Sequence, residues 1–142
     1  MRSRAEFCQW LFMPLPEPKT RADIIRWWEK RRLFYNLFVG SIGFCSLIAF
    51  VFFLENTITL KPGEDSFEPI AVFLVPIPIN ICYTAGWVIE CFGLSVGRFR
   101  SLKRFLTGPT LLKVGLSFSL FVILLPSALW GTAWTIKLIF HR

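Results

Sequence analysis

Three long apolar runs alternate with short charged ones. The first, Leu33 to Leu54, carries no formal charge. About 20 apolar residues carry a helix across a bilayer's hydrocarbon layer. The run is long enough, and it predicts a first span, residues 33–54. Arg31 and Arg32 bound one end and Glu55 the other. The second run, residues 70–96, is interrupted by Pro76 and Pro78. Proline removes a backbone donor and crowds the preceding turn. Either this span is kinked at 76–78, or its regular part begins near Pro78, from which enough chain remains to cross. The third run, residues 110–140, contains Pro126. At about 1.5 Å per residue it is about 46 Å long, against roughly 30 Å of hydrocarbon. It is too short for two crossings, so it tilts, bends at Pro126 or protrudes. Gly108-Pro109 precedes it, with proline at a first-turn position. The expected fold class is all-α: an integral membrane protein, residues 1–142 forming a single membrane domain with three transmembrane helices.

Ahead of the first run the period is helical but two-sided. Between Thr20 and Arg32, Ile24, Ile25, Trp27 and Trp28 share one arc, and Asp23, Arg26, Glu29 and Lys30 lie opposite. This predicts an N-terminal amphipathic interfacial helix over residues 20–32. The same pattern fits an extension of the first span packed on the protein's own loops. Thr20, with Asp23 three residues on, reads as an imperfect capping box. In residues 1–19, an apolar patch from Phe7 to Met13 runs into Pro14, Pro16 and Pro18. Alternating prolines favour extended chain, so an irregular Pro-rich segment is expected there. No small-residue cleavage site follows the patch, which excludes a secretory signal peptide. Trp10 and the phenylalanines are placed to dip into the headgroup region.

Composition narrows the class. Over the 142 residues, 54% are apolar and 18% charged, and mean hydropathy is +0.56. Soluble domains run nearer 45–50% apolar with about a quarter charged. A disulfide scaffold, a disordered tail, a coiled coil and most soluble enzymes are excluded. Cys45, Cys82 and Cys91 lie in apolar runs and Cys8 in the N-terminal segment, with no CxxC pair; they read as small hydrophobes.

The net charge of +7 is distributed unevenly. Of 16 lysines and arginines, eight lie up to Arg32 and five between Arg98 and Lys113. The first loop has only Lys61 against Glu55, Glu64, Asp65 and Glu68, and the C-terminal end has Lys137 and Arg142. The positive-inside rule then puts the N-terminus in the cytoplasm, with the acidic loop and the C-terminus outside. The expected partners are the lipid bilayer, with anionic lipid on the cytoplasmic side, and a second copy or another membrane protein. No arrangement of basic and aromatic residues reads nucleic acid.

The second span carries the candidate chemistry. Asn80, Tyr83, Thr84, Trp87, Glu90, Cys91 and Ser95 fall within an arc of about 140°. In hydrocarbon, polar groups must face protein or water, so the stripe is expected to face the bundle interior. Either it packs helices together or it lines a path. Glu90 stands six residues before Val96, about 9 Å inside the cytoplasmic end by helix rise, where an acid is a functional candidate by default. Three readings stand for it: a structural ion pair, proton or cation handling, or an exposed acid reaching the surface. The expected partner is Lys113 on the antiparallel third span, then Arg32 or Arg31, with Asn36 and Tyr35 completing the hydrogen bonding. The candidate buried polar cluster is thus Glu90, Lys113, Arg32, Asn36, Asn80, Tyr83, Thr84 and Trp87. Small-residue seams at Asn36, Gly40 and Gly43, at Gly93 and Gly97, and at Ser127, Gly131 and Thr135 allow close helix approach. No catalytic set, cofactor motif or metal-ligand spacing is present; His141, the lone histidine, reads as a solvated tail residue.

Two stretches carry a resemblance. Residues 27–36 read WWEKRRLFYN and residues 80–90 read NICYTAGWVIE. Together they resemble a group of uncharacterised short bacterial multi-span membrane proteins with WWExRRxxYN and NxxYTxGWxxE signatures. The resemblance implies a bacterial cytoplasmic (inner) membrane. The expected function is a small, non-enzymatic membrane protein acting by helix association, as an oligomer or accessory subunit. The alternative is a pore or transport component with Glu90 as its proton or cation site.

Overall fold

The charged segment and the first apolar run are one helix. The computed structural model describes residues 4–58, 74–95 and 106–140, all helices and short connections. The four helices are α1 (Arg4–Phe12), α2 (Arg21–Thr57), α3 (Pro76–Ser95) and α4 (Gly108–Phe140). The acidic loop, most of the basic loop, Gly97 and His141 lie outside the described residues. α2 starts at a complete capping box: Asp23 N–H donates to Thr20 Oγ1 at 3.2 Å, and Thr20 N–H donates to Asp23 Oδ2 at 3.1 Å.

α2 and α4 lie side by side and parallel. Tyr35 meets Ser119, Ser46 meets Ser127, and Lys137 reaches the Asn56 and Thr57 carbonyls, so the pairs advance together along both chains. Both helices are long and apolar enough to cross a membrane, and only 17% of the most apolar window of each is buried. That low burial separates them from the core helices of soluble proteins. Their outer faces are bare apolar surface: Leu33 is 69% and Phe121 63% exposed.

α3 is antiparallel to this pair. It is 20 residues long; the two helices long and apolar enough to cross a membrane among the described residues are α2 and α4. Pro76 and Pro78 fall in its first turn, where a missing donor costs nothing. Of the two expectations for this run, a regular helix beginning near Pro78 is the one that matches, the helix starting at Pro76; residues 70–73 lie outside the described residues. Pro126 stays inside α4.

Two expectations for the N-terminal region are corrected. Residues 4–12, expected to be irregular, form α1. Nine residues are too few for a stable isolated helix. α1 is held because α2 side chains take its last carbonyls: Arg31 Nε donates to Leu11 O at 2.9 Å, and Arg31 Nη2 to Trp10 O. The segment 20–32 is not a separate surface helix. Its arc of Ile24, Trp27 and Trp28 is buried in the core with Leu11, Tyr35, Val39, Tyr83 and Leu112, and Ile25 stays exposed. The protein's own chain, rather than lipid, covers that face.

Candidate functional site

The register of α3 on α2 follows from three contacts. Tyr83 Oη donates to the Trp28 carbonyl, Arg32 Nη2 donates to Thr84 Oγ1 at 3.4 Å, and Asn36 Nδ2 donates to Asn80 Oδ1 at 3.3 Å. From Arg32–Thr84 to Asn36–Asn80 a step along α2 is matched by a step back along α3. The stripe on α3 therefore faces α2. Tyr83 packs edge-on to Trp28, with ring centroids 5.1 Å apart, and tilts against Tyr35 at 4.6 Å. Gly86 completes the fit, because a Cβ there would lie 2.6 Å from the Trp28 ring. Only glycine admits the indole at that depth.

This seat aims the indole of Trp28 along α3 at Glu90. Trp28 Nε1 donates to Glu90 Oε2 at 2.8 Å. The second oxygen, Oε1, is taken by Lys19 Nζ at 2.8 Å. Glu90 is 3% exposed and Lys19 11%, so the pair is withdrawn from water. The first residue of α4 closes the site: a Cβ on Gly108 would stand 3.0 Å from Glu90 Oε2 and 3.1 Å from the Trp27 ring. The positive end of α4 thereby abuts the carboxylate, a favourable placement for an anion. Four pieces of chain meet here: the linker before α2, α2, α3 and the start of α4.

The expected pairing of Glu90 with Lys113 is overturned. Lys113 is exposed, and its ammonium stands 5.0 Å from the centre of the Phe12 ring. Arg32 forms an i,i+3 pair with Glu29 at 3.0 Å, lies over the Tyr83 ring and meets Thr84. Arg31 is buried between the Trp10 and Trp27 rings, 4.6 and 3.8 Å from their centres, and its Nη1 donates to the Trp27 carbonyl at 2.9 Å. Burial lowers its pKa from the ordinary arginine value, with the Tyr83 side chain opposing; an arginine keeps its charge regardless. Tyr35 does not reach Glu90; it shares a 2.6 Å hydrogen bond with Ser119 on α4. The structure joins Glu90, Asn36, Asn80, Tyr83, Thr84 and Arg32 in one α2–α3 seam. Trp87 packs against the same core, and its Nε1 makes no hydrogen bond among the described residues.

The register also sets where Glu90 stands along α2. It is level with Trp28, five residues before the first apolar residue of the span, Leu33. By helix rise it stands about 8 Å outside the apolar stretch of α2. The cause is the register above, which slides α3 toward the basic end.

Lys19, Trp28, Gly86 and Gly108 build the site but were not among the residues expected in the polar cluster. Gly86, a glycine among bulky neighbours, was the readable signal for a close approach. Lys19 gave none, since it arrives on the proline-rich linker. Chemically, the site holds an ammonium against a carboxylate inside an indole wall. Among the described residues, no three His, Cys, Asp or Glu side chains gather to hold a metal. The chain matches no protein-family model, no curated protein and no solved structure.

Proposed function

We propose that this chain is a small integral membrane protein that acts by helix association, as an oligomer or as an accessory subunit beside another membrane protein. The supporting observation is the division of its surfaces. The polar stripe of α3 is spent inside the chain, on Trp28, Arg32, Asn36 and Lys19. The apolar faces of α2 and α4, with Leu33, Leu37, Phe44, Phe118, Phe121 and Leu129, are exposed among the described residues. Such faces are at home in lipid or against another helix, where close packing holds helices together.

On this reading the chain crosses three times in a bacterial cytoplasmic membrane. Its N-terminus and basic segments are cytoplasmic, against anionic lipid, and its C-terminus is outside; the lysine and arginine distribution supports that orientation. The interfacial element is then α1, whose Phe7 packs on Phe34 at 5.1 Å at the edge of the apolar run. Both oxygens of Glu90 are engaged, which favours a holding role over a pore: as a cation site it would first have to release Lys19. Chemical cross-linking and native mass spectrometry of the full chain in mild detergent are the test. Species with more than one copy, or with a stoichiometric partner, are expected. A strictly monomeric, partnerless chain overturns the reading.

A further inference from the structure

Two hydrogen bonds, one helical turn apart, set the height of α3 against α2. Arg32 meets Thr84, and Asn36 meets Asn80. In an antiparallel pair, moving back along one helix from such a contact matches moving forward along the other by the same rise. Pro76, where α3 begins, lies four residues before Asn80 and is therefore level with Gly40, four residues after Asn36. The apolar stretch of α2 runs from Leu33 to Leu54. By helix rise that stretch is about 33 Å long, and Gly40 stands only about 10 Å into it from the basic end. In the other direction α3 continues past Glu90, which meets Trp28, to Ser95. The residues after Thr84, more than half of the helix, are thus level with the charged part of α2.

The first turn of α3 is chemically suited to an end inside hydrocarbon. The first four N–H groups of a helix find no partner within it, and in lipid an unpaired N–H is heavily penalised. Of the first four residues, Pro76 and Pro78 carry no N–H at all. The side chains around that start, Leu74, Val75, Ile77 and Ile81, are apolar and exposed. Asn80, the polar residue of the stripe nearest this end, needs no water: it donates to the Pro76 carbonyl at 3.0 Å and accepts from Asn36.

We infer that α3 is a partial-depth helix, which reaches from the basic end about a third of the way along the apolar stretch of α2 and stops there. This rests on the membrane placement proposed above and sharpens it: α3 supplies only the part of the third crossing nearest the basic end. Its polar stripe ends at Asn80, level with Asn36, so it cannot line a path through the bilayer. α3 acts as a brace for the basic end, not as a wall of a pore.

Depth-resolved fluorescence quenching tests this on the full chain in lipid vesicles. A fluorescent amino acid is placed at one exposed position at a time: Leu33, Phe44 or Phe52 on α2, to calibrate the bilayer, and Ile77 or Phe92 on α3. The quenchers are lipids with a nitroxide at the headgroup or at set depths along the acyl chain. The α2 reporters should form a graded series, shallow at Leu33, deep at Phe44 and shallow again at Phe52. The Ile77 reporter should lie about 9 Å deeper than the Leu33 reporter, since Ile77 is level with Val39. The Phe92 reporter should lie outside the hydrocarbon, level with the first turns of α2. A fully crossing α3 gives the reverse, with Ile77 as shallow as Phe52 and Phe92 quenched from within the acyl chains. That outcome overturns the inference and leaves the membrane placement standing. A flat series along α2 overturns both. Where a reporter lowers the melting temperature sharply, Leu74 replaces Ile77 and Ile89 replaces Phe92, with the same expected order of depths.

Discussion

The two ends of the α2–α4 pair are held by different means. At the basic end, α1, the linker, α3 and the start of α4 converge on residues 24–36 of α2. The contacts there are directional and varied: indole to carboxylate, guanidinium to carbonyl, phenol to carbonyl, ring edge to ring face. At the far end, two helices meet through small residues and a few rings, Phe52 and Phe53 packing on Trp134 at 5.8 and 5.6 Å. Ser46 and Ser127 share a 2.6 Å hydrogen bond, Ser127 also donates to the Ser46 carbonyl at 2.6 Å, and Phe53 lies on Gly131. Lys137 then caps the end of α2 at 2.9 and 3.1 Å. On the proposed membrane placement, the contrast follows from the surroundings. Near water, burying Trp28, Tyr83 and Leu112 removes apolar surface from solvent and is strongly favourable. In lipid that driving force is absent, and close backbone approach with hydroxyl bonds remains.

The sharpest way to break the contrast is at Trp28. Trp28→Ala should destabilise the chain by about 3–5 kcal/mol, as buried aromatic truncations do, and should free α3 from α2. Reversible unfolding in mixed micelles measures it. Trp28→Phe keeps most of the packing and removes the donor to Glu90, so about 1–3 kcal/mol is expected. Next comes Gly86→Ala, whose methyl group collides with the Trp28 ring; overpacking of this kind costs about 1–3 kcal/mol. A Gly86→Ala chain as stable as wild type would show that α3 does not seat the indole this closely.

Effects at the far end should be smaller. Ser127→Ala should cost about 1 kcal/mol or less, the usual range for one interhelical hydrogen bond in a membrane. A loss matching that of Trp28→Ala would erase the distinction between the two ends.

The smallest effect belongs to the cap of α2 and reads out with pH. The Thr20 hydroxyl first, and its backbone N–H second, hold the Asp23 carboxyl below its ordinary 3.8. An acid with a depressed pKa adds stability above its unfolded value and loses it as pH falls through the lower folded value. The gap in melting temperature between wild type and Asp23→Asn should therefore be full at neutral pH and close below about pH 4. A gap that is constant across this range contradicts the cap.

Much of this was legible from residue spacing. The arc Asn80-Tyr83-Thr84-Trp87-Glu90 does face another helix, and Asn36 does meet Asn80, because helical periodicity fixes which residues share a side. That Glu90 would be buried with a cation followed from the cost of isolating a carboxylate. Which cation it takes was not legible. Lys113 is near in a diagram of ideal antiparallel spans, but α3 is displaced along α2 by contacts between particular side chains, and no period encodes that slide. Lys19 travels on a proline-rich linker whose path depends on where α1 docks. α1 in turn exists because Arg31 and Trp27 take the carbonyls at and after its end. The two motifs WWEKRRLFYN and NICYTAGWVIE read separately as signatures; in the fold they are the two halves of one seam.

The distance in sequence between Lys19 and Glu90 also sets a timetable for synthesis. With 71 residues separating them and translation running at about 5–20 residues per second, the lysine waits roughly 4–14 s for its carboxylate to be made. Trp28, Arg32 and Asn36 wait alongside it for α3. During that interval α2 is apolar enough to enter the bilayer alone, while its aromatic, charged end has nothing from α3 to close on. The seam at the basic end is therefore a late event in biogenesis. A ribosome halted before Glu90 would leave the N-terminal arm without its anchor.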